Sequence, residues 1–345
     1  MGPIYYGPTG GYVIRFLSFT LFIVWSSVAV AQEPTTDVKA DQQQRSTERS
    51  SSDVEAATLL SAAEVLFKEP KTRSDGQKKA TAALRLVDRP GRTPDALLGR
   101  ALHQAGNGAY FTNDIPRAET LWRRALTVRE QSLGRDHPDV AKTLNNLAIL
   151  YDQRDNFAKA IPLYQRQLEL RRKRLGARHP DVADLLHTIS TIFLKTNKFK
   201  RAQPLIEESL AIREATLGPE HPSVAESLTN LATLHDETGA YDRALPLYLK
   251  SLKIREKVLG RYHPAVARSL NNLGILYNRT GDYRSALTMF NRNLEIRERE
   301  AGAQHPSVAK ALVNISEVYS KLGDYASAIN KVERSLTILE KALGK

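Results

Sequence analysis

Apolar residues recur along this chain with two periods at once. In short windows they fall at helical spacing: Val140, Leu144, Leu147 and Tyr151 form one stripe, and Ala160, Leu163, Tyr164, Leu168 and Leu175 form the next. Over longer distances the pattern returns every 42 residues, most visibly in His137, His179, His221, His263 and His305, each followed by proline. The same register carries Gly134, Gly176, Gly218, Gly260, Gly302 and Gly344, the alanines 118, 160, 202, 244, 286 and 328, and the leucines 144, 186, 228, 270 and 312.

Each unit reads as two helices. Histidine near the N-cap and proline in the first turn start helix A, where the missing proline N–H is no loss. The column Asp155, Asn197, Gly239, Gly281, Gly323 tolerates a left-handed backbone and ends helix A near Arg154 in the second unit. Helix B follows and is expected to close on its glycine at C′, with Arg or Lys often in its last turn.

Such a pair cannot bury its stripes alone, so the units are expected to stack into an all-α solenoid, a right-handed superhelix of helix pairs. The units span 95–136, 137–178, 179–220, 221–262, 263–304 and 305–345. The first has Asp95 in place of histidine but keeps Ala118, Leu121, Trp122 and Leu126 in phase. Residues 53–94 hold a weaker pair, with Ala57, Leu60 and Phe67 in phase and little after Pro70, as a divergent cap would.

The runs LNNLAILYDQRDNFAKAIPLYQRQLELRRKRLG from Leu144 and LNNLGILYNRTGDYRSALTMFNRNLEIRE from Leu270 resemble the kinesin-light-chain class of tetratricopeptide repeats. The resemblance covers 95–345. It implies a stacked helical array whose concave face binds peptide segments. It does not extend to motor function, because a polar segment stands where that class has a heptad-rich one.

The resemblance also implies a candidate site. Peptide-binding arrays of this family hold a ligand backbone or terminal carboxylate with an asparagine on helix A, in the column Gln104, Asn146, Thr188, Asn230, Asn272, Asn314. An amide both donates and accepts, so it can pair with a peptide unit; it can equally bond a neighbouring helix. Lys142, Asn145, Ile149, Asp152, Asp184, His187, Glu226, Asp236, Arg268, Asn271, Asn278 and Lys310 are expected on the same groove. Their charges suggest an acidic middle and a basic far end, suiting a ligand with central basic residues and a carboxylate near Arg268 and Lys310; the alternative is a scattered solvated face.

Charge adds a second candidate surface. The net +12 favours anionic partners without choosing among them. Arg171, Arg172, Lys173, Arg174, Arg178, Lys198, Lys200 and Arg201 are expected as a basic ridge on the outer side, either merely solvated or touching an anionic surface. Such contact would make the protein a structural envelope component rather than an adaptor. The regular column Arg129, Arg171, Arg213, Arg255, Arg297 points to pairing with a neighbouring repeat, through Glu or Asp.

Arg15, the apolar stretch Phe16 to Trp25 and Ala29-Val30-Ala31 have the layout of a secretory signal over residues 1–31, cleaved after Ala31, which would leave +11. An uncleaved anchor is the alternative. The location expected is therefore secreted or periplasmic. Residues 32–52 are polar and read as a disordered linker.

Nothing in the sequence suggests an enzyme or a cofactor. Without cysteine there is no thiolate zinc site or Cys nucleophile, and no G-x-x-x-x-G-K-[ST], G-x-S-x-G or H-E-x-x-H run occurs. Stacking places the five histidines about 10 Å apart, far beyond the roughly 2 Å of a zinc–nitrogen bond, so they read as helix caps. Nucleic acid is disfavoured, since the aromatics occupy core positions.

Overall fold

The computed structural model describes residues 36–343; the signal or anchor segment and the cleavage site at Ala31 lie outside them. The described residues fall in two units, 36–51 and 52–343. In the first, the described residues belong to helix α1 (Thr36–Leu66), so the stretch read as a disordered linker is helical from Thr36. It contains neither proline nor glycine between Thr36 and Leu66, and its Gln, Ala, Lys, Arg and Glu are residues of high helix propensity.

The second unit holds the helix pairs. The end of α1 and α2 (Arg73–Val87) make the first pair, burying Leu60, Ala63 and Phe67 with Ala80, Ala83 and Val87; the segment after Pro70 thus carries its own apolar stripe. Six pairs follow: α3 (Ala96–Phe111) with α4 (Ile115–Leu133), α5 (Pro138–Gln153) with α6 (Phe157–Leu175), and α7 (Pro180–Lys195) with α8 (Phe199–Leu217). Then come α9 (Pro222–Glu237) with α10 (Tyr241–Leu259), α11 (Pro264–Arg279) with α12 (Tyr283–Ala301), and α13 (Pro306–Lys321) with α14 (Tyr325–Leu343). No strand occurs among the described residues.

The histidines are the N-caps of α5, α7, α9, α11 and α13. Each ring Nδ1 accepts the backbone N–H two residues on, at 3.1 Å for Asp139, Asp181, Ser223 and Ala265 and 3.2 Å for Ser307. The glycines ending helix B are the C-caps themselves, not C′ residues. Their φ of 85–89° is positive, as expected, but ψ of 151–156° places them outside the left-handed helical well, in a region open essentially to glycine.

Helices A and B of each pair fit by matching sizes. Gly106 lies against Trp122 and Gly274 against Phe290, and a Cβ on either glycine would meet the ring at 2.5 Å. In the same two columns Ala148 and Ala232 go with Tyr164 and Tyr248, and Ser190 with Ile206. Gly274→Ala should therefore destabilise the chain by about 1–3 kcal/mol through overpacking. Adding Phe290→Ile should recover most of that loss in a denaturant-melt double-mutant cycle.

Candidate functional site

In most repeats a small polar residue of helix B ties it to helix A. Ser209 donates to the carbonyl of Ala183, Ser251 to Ala225 and Asn293 to Ala267, at 2.8, 2.8 and 2.5 Å, and Ser335 to Ala309 at 3.1 Å. In the second repeat this position is Gln167, two carbons longer than serine. Its Nε2 reaches the Ala141 carbonyl at 3.4 Å and Asn145 Oδ1 at 3.1 Å, while its Oε1 is buried without a partner. The side chain is 2% exposed. A glutamine in a serine-sized slot holds α5 away from α6, and beside it lies a cleft of about 430 Å³ between α3, α5, α6 and the start of α7.

The arginine column explains the positive wall of that cleft. Arg129, Arg213 and Arg255 are buried and reach from helix B to the next helix A. Arg129 donates to the Asp139 carbonyl and Thr143 hydroxyl, both at 2.7 Å, and Arg255 to the Ser269 hydroxyl at 2.5 Å. Arg213 donates to the Ser223 carbonyl, the Ser227 hydroxyl and the Asp184 carboxylate. The column does pair with the neighbouring repeat, but mainly through carbonyls and hydroxyls; among these five, carboxylate pairing is seen only at Arg213. Arg297 bonds Asn293 within its own helix. Arg171 faces Leu185, where the others meet Thr143, Ser227 and Ser269, so it keeps one bond, to the Asp181 carbonyl at 2.8 Å, and is only half-buried. It lines the cleft with Arg174, which takes part in no ion pair among the described residues.

The cleft brings together Lys142, Asn145 and Asn146 of the predicted site, with His103 and Asn107 across from them. Lys142 pairs with Asp139 at 2.8 Å. Burial, with Arg129 and Lys142 adding repulsion, pushes the His103 ring down to about 3, so it is neutral here. Asn146 donates to Asn107 Oδ1 at 2.9 Å, which also accepts from Trp122 Nε1 at 3.1 Å. On the other side of this amide pair lies an apolar hollow of about 330 Å³, lined by Tyr110, Phe111, Trp122 and Ile149.

The remaining predicted residues are spread along the array. Asn230 donates to Thr191 at 2.9 Å and Asn314 to Asn271 Oδ1 at 2.8 Å, so these column amides, like Asn146, bond the preceding helix A. Asn272 makes no such bond among the described residues. Arg268 and Lys310 are exposed. The expected acidic middle is occupied from within: Asp184 pairs with Arg213 at 2.8 Å and lies beside Glu226, and Asp236 pairs with Arg279 at 2.8 Å. Burial raises the Asp236 carboxyl despite that arginine. Arg279, which also holds Glu237, went unnoticed as a linker, although its spacing of 42 to 43 residues from both acids repeats the unit length.

Part of the basic ridge is likewise taken up internally, while Arg178, Lys198, Lys200 and Arg201 remain exposed. Successive B helices are joined by rungs 36 residues apart: Arg124–Asp88, Arg166–Glu130, Lys250–Glu214, Arg292–Glu256 and Arg334–Glu298. At one rung the charges are exchanged, Arg172 with Glu208 at 2.6 Å. Lys173 pairs with Asp136 at 3.0 Å. Reading the sequence in columns 36 apart would have shown this exchange. Of Arg171, Arg172, Lys173 and Arg174, two are paired with carboxylates, and Arg171 and Arg174 line the cleft rather than an outer ridge. Among the described residues no group of His, Asp or Glu could hold a metal ion, and no helix is long and apolar enough to cross a membrane.

The sequence model of the tetratricopeptide repeat matches residues 97–173, 153–215, 198–257, 237–299 and 266–341. No curated protein matches the chain. Among solved structures, BtubC (BKLC) from P. vanneervenii is similar at 24% identity over 68% of this chain and 91% of its own, with a TM-score of 0.55. A kinesin-light-chain-type protein of nearly identical TPR-like repeats from Podosopora anserina is 24% identical over 60% of this chain and 98% of its own, with a TM-score of 0.52. The apo form of RapI is 15% identical over 83% of this chain and 77% of its own, with a TM-score of 0.59. At these identities the likeness is one of fold.

Proposed function

Because this chain belongs to the tetratricopeptide repeat family, we propose that it is an adaptor that holds an extended peptide segment of a partner protein, anchored at the α3–α5–α6 cleft. The observation that carries this reading is Gln167: its buried Oε1 lacks a donor, and it keeps open a cleft that a serine would let close. A buried acceptor left unpaired costs the fold about 1–3 kcal/mol, so Gln167 is not there for packing alone.

Arg171 and Arg174 suit a carboxylate, and the adjacent hollow of Tyr110, Phe111, Trp122 and Ile149 suits an apolar side chain. The preferred segment therefore carries an acidic residue next to an apolar one. Lys142, Asn145 and Asn146 border the same path, and Asn272 with Arg268 and Lys310 would contact a longer ligand further along. This replaces the idea of a centrally basic ligand, whose acidic counterpart is consumed by Arg213 and Arg279. The signal-like N-terminus supports placing the adaptor outside the cytoplasm, in the periplasm or secreted.

The test is to pan a randomised peptide library on the chain and titrate the enriched peptides calorimetrically. Enrichment of Asp or Glu beside an apolar residue is expected. Arg174→Ala should weaken binding about tenfold, less at high salt. Gln167→Ser should raise the melting temperature while reducing affinity, as expected when a residue serves binding at the expense of packing. Binding unaffected by either change would remove the cleft from the account.

A further inference from the structure

Near the ends of the A helices one column carries aromatic rings, and the chain covers two of them with a cation of its own. Lys159 Nζ lies 5.0 Å from the centre of the Tyr151 ring, and the Arg201 guanidinium carbon lies 4.4 Å from that of Phe193. Both cations stand at the third residue of helix B, in α6 and α8. In the second repeat a carboxylate completes the arrangement: Glu119 accepts from the Tyr151 hydroxyl at 2.7 Å and lies 3.9 Å from Lys159.

The fifth repeat keeps the ring and lacks the cation. Tyr277 occupies the column of Tyr151 and Phe193, Ser285 that of Lys159 and Arg201, and Leu245 that of Glu119. Serine is too short to cover the ring, and leucine cannot accept from the phenol. Among the described residues no lysine or arginine lies over Tyr277 or Tyr241. A hollow of about 320 Å³ opens there between α10 and α11, walled by the two tyrosines, Leu245 and Leu276, with Asp242 and Asp282 beside them. Arg243 and Arg284, the neighbours of these residues in sequence, do not line it. Both aspartates are exposed, and neither takes part in an ion pair among the described residues. The Ser285 hydroxyl, with the Ser285 N–H at 3.1 Å, holds the Asp282 carboxyl below the usual carboxylate range, so it is charged at neutral pH.

We propose that this pocket takes up a lysine or arginine side chain of a partner protein. The ring faces and the two carboxylates attract the same sign of charge. The equivalent rings in the second and third repeats hold a cation carried on an alkyl stem, and Leu245 and Leu276 offer apolar surface to such a stem. The pocket belongs to the fourth and fifth repeats and shares no residue with the α3–α5–α6 cleft, so neither depends on the other.

The test is an NMR titration of the full chain, isotope-labelled at tyrosine, with acetyl-arginine methylamide and acetyl-lysine methylamide; acetyl-norleucine methylamide is the neutral control. Signals of Tyr241 and Tyr277, assigned with Tyr241→Phe and Tyr277→Phe, should shift with the two cationic probes only. Ser285→Lys restores what Lys159 supplies in the second repeat, so it should weaken both cationic probes about tenfold and raise the melting temperature. Asp242→Asn with Asp282→Asn should weaken them at least about threefold, less at high salt. The fold should tolerate that change, since Asn156 caps α6 from the column of Asp282. Arg174→Ala, in the cleft, should leave these shifts unchanged. Equal shifts with the norleucine probe, affinity untouched by Ser285→Lys, or binding of tetramethylammonium without either side-chain probe would overturn the proposal.

Discussion

Arg213→Ala is expected to lower the unfolding free energy by about 1.5–3 kcal/mol, the range for hydrogen bonds made by a charged donor, since its carboxylate partners Asp184 and Glu226 are themselves largely solvated. Arg213 is 2% exposed and is the arginine of its column with the fullest set of partners. It joins α8 to the first turn of α9 and neutralises Asp184, with Glu226 at 3.6 Å. Its loss leaves two carboxylates facing each other, a carbonyl without its donor and a void between repeats. Lysine reaches one acceptor at a time and should recover only part of the loss. Arg297→Ala, which removes a bond within a single helix, should cost less than about 1 kcal/mol. Denaturant melts of the three variants check this ordering. Since stability in a stacked array is a sum over units and the seams between them, Arg213→Ala should also split the transition, with the repeats on either side of the α8–α9 seam unfolding separately.

Acid should destabilise the chain before its carboxylates titrate. Burial first, then the arginines nearby, holds His103 down to about 3 and His187 down to about 4, against 6.5 in the unfolded chain. Both folded values are depressed, so below pH 6.5 the unfolded state binds protons that the folded state refuses. Stability is therefore complete above about pH 6.5, falls as pH drops, and stops falling on this account near pH 4 for His187 and pH 3 for His103. By pH 5 the loss should be about 2 kcal/mol for each histidine. His103→Gln keeps a hydrogen-bonding group opposite Thr143 and cannot take up the proton. Its melting temperature should depend less steeply on pH between 6.5 and 5 than that of the parent, and an identical slope would mean that His103 is protonated in the folded chain.

What could be read from the residues alone was whatever depends on neighbours within one or two turns. The histidine caps act on an N–H two residues away, the apolar stripes follow the helical period, and the left-handed column at Asp155 and Asn197 is a property of single residues. Repetition made each of these visible several times over. The stretch after Thr36 is helical despite its low hydrophobicity because helix propensity, also a local energy, does not require a buried face.

The site was less legible. That Asn146 and Asn230 spend an N–H on the preceding helix A, that Arg172 and Glu208 exchange charges across a rung, and that Asp236 is held by Arg279 all depend on partners 36 to 43 residues away. The stacking offset decides which of the chemically equivalent columns come into contact. The residues themselves determined the repeat, its helices and its caps, because those energies are local. Only the tertiary structure decided that Gln167 cannot fit a serine's place without parting α5 from α6, and that Leu185 leaves Arg171 short of a partner, because packing compares side chains that the sequence keeps apart.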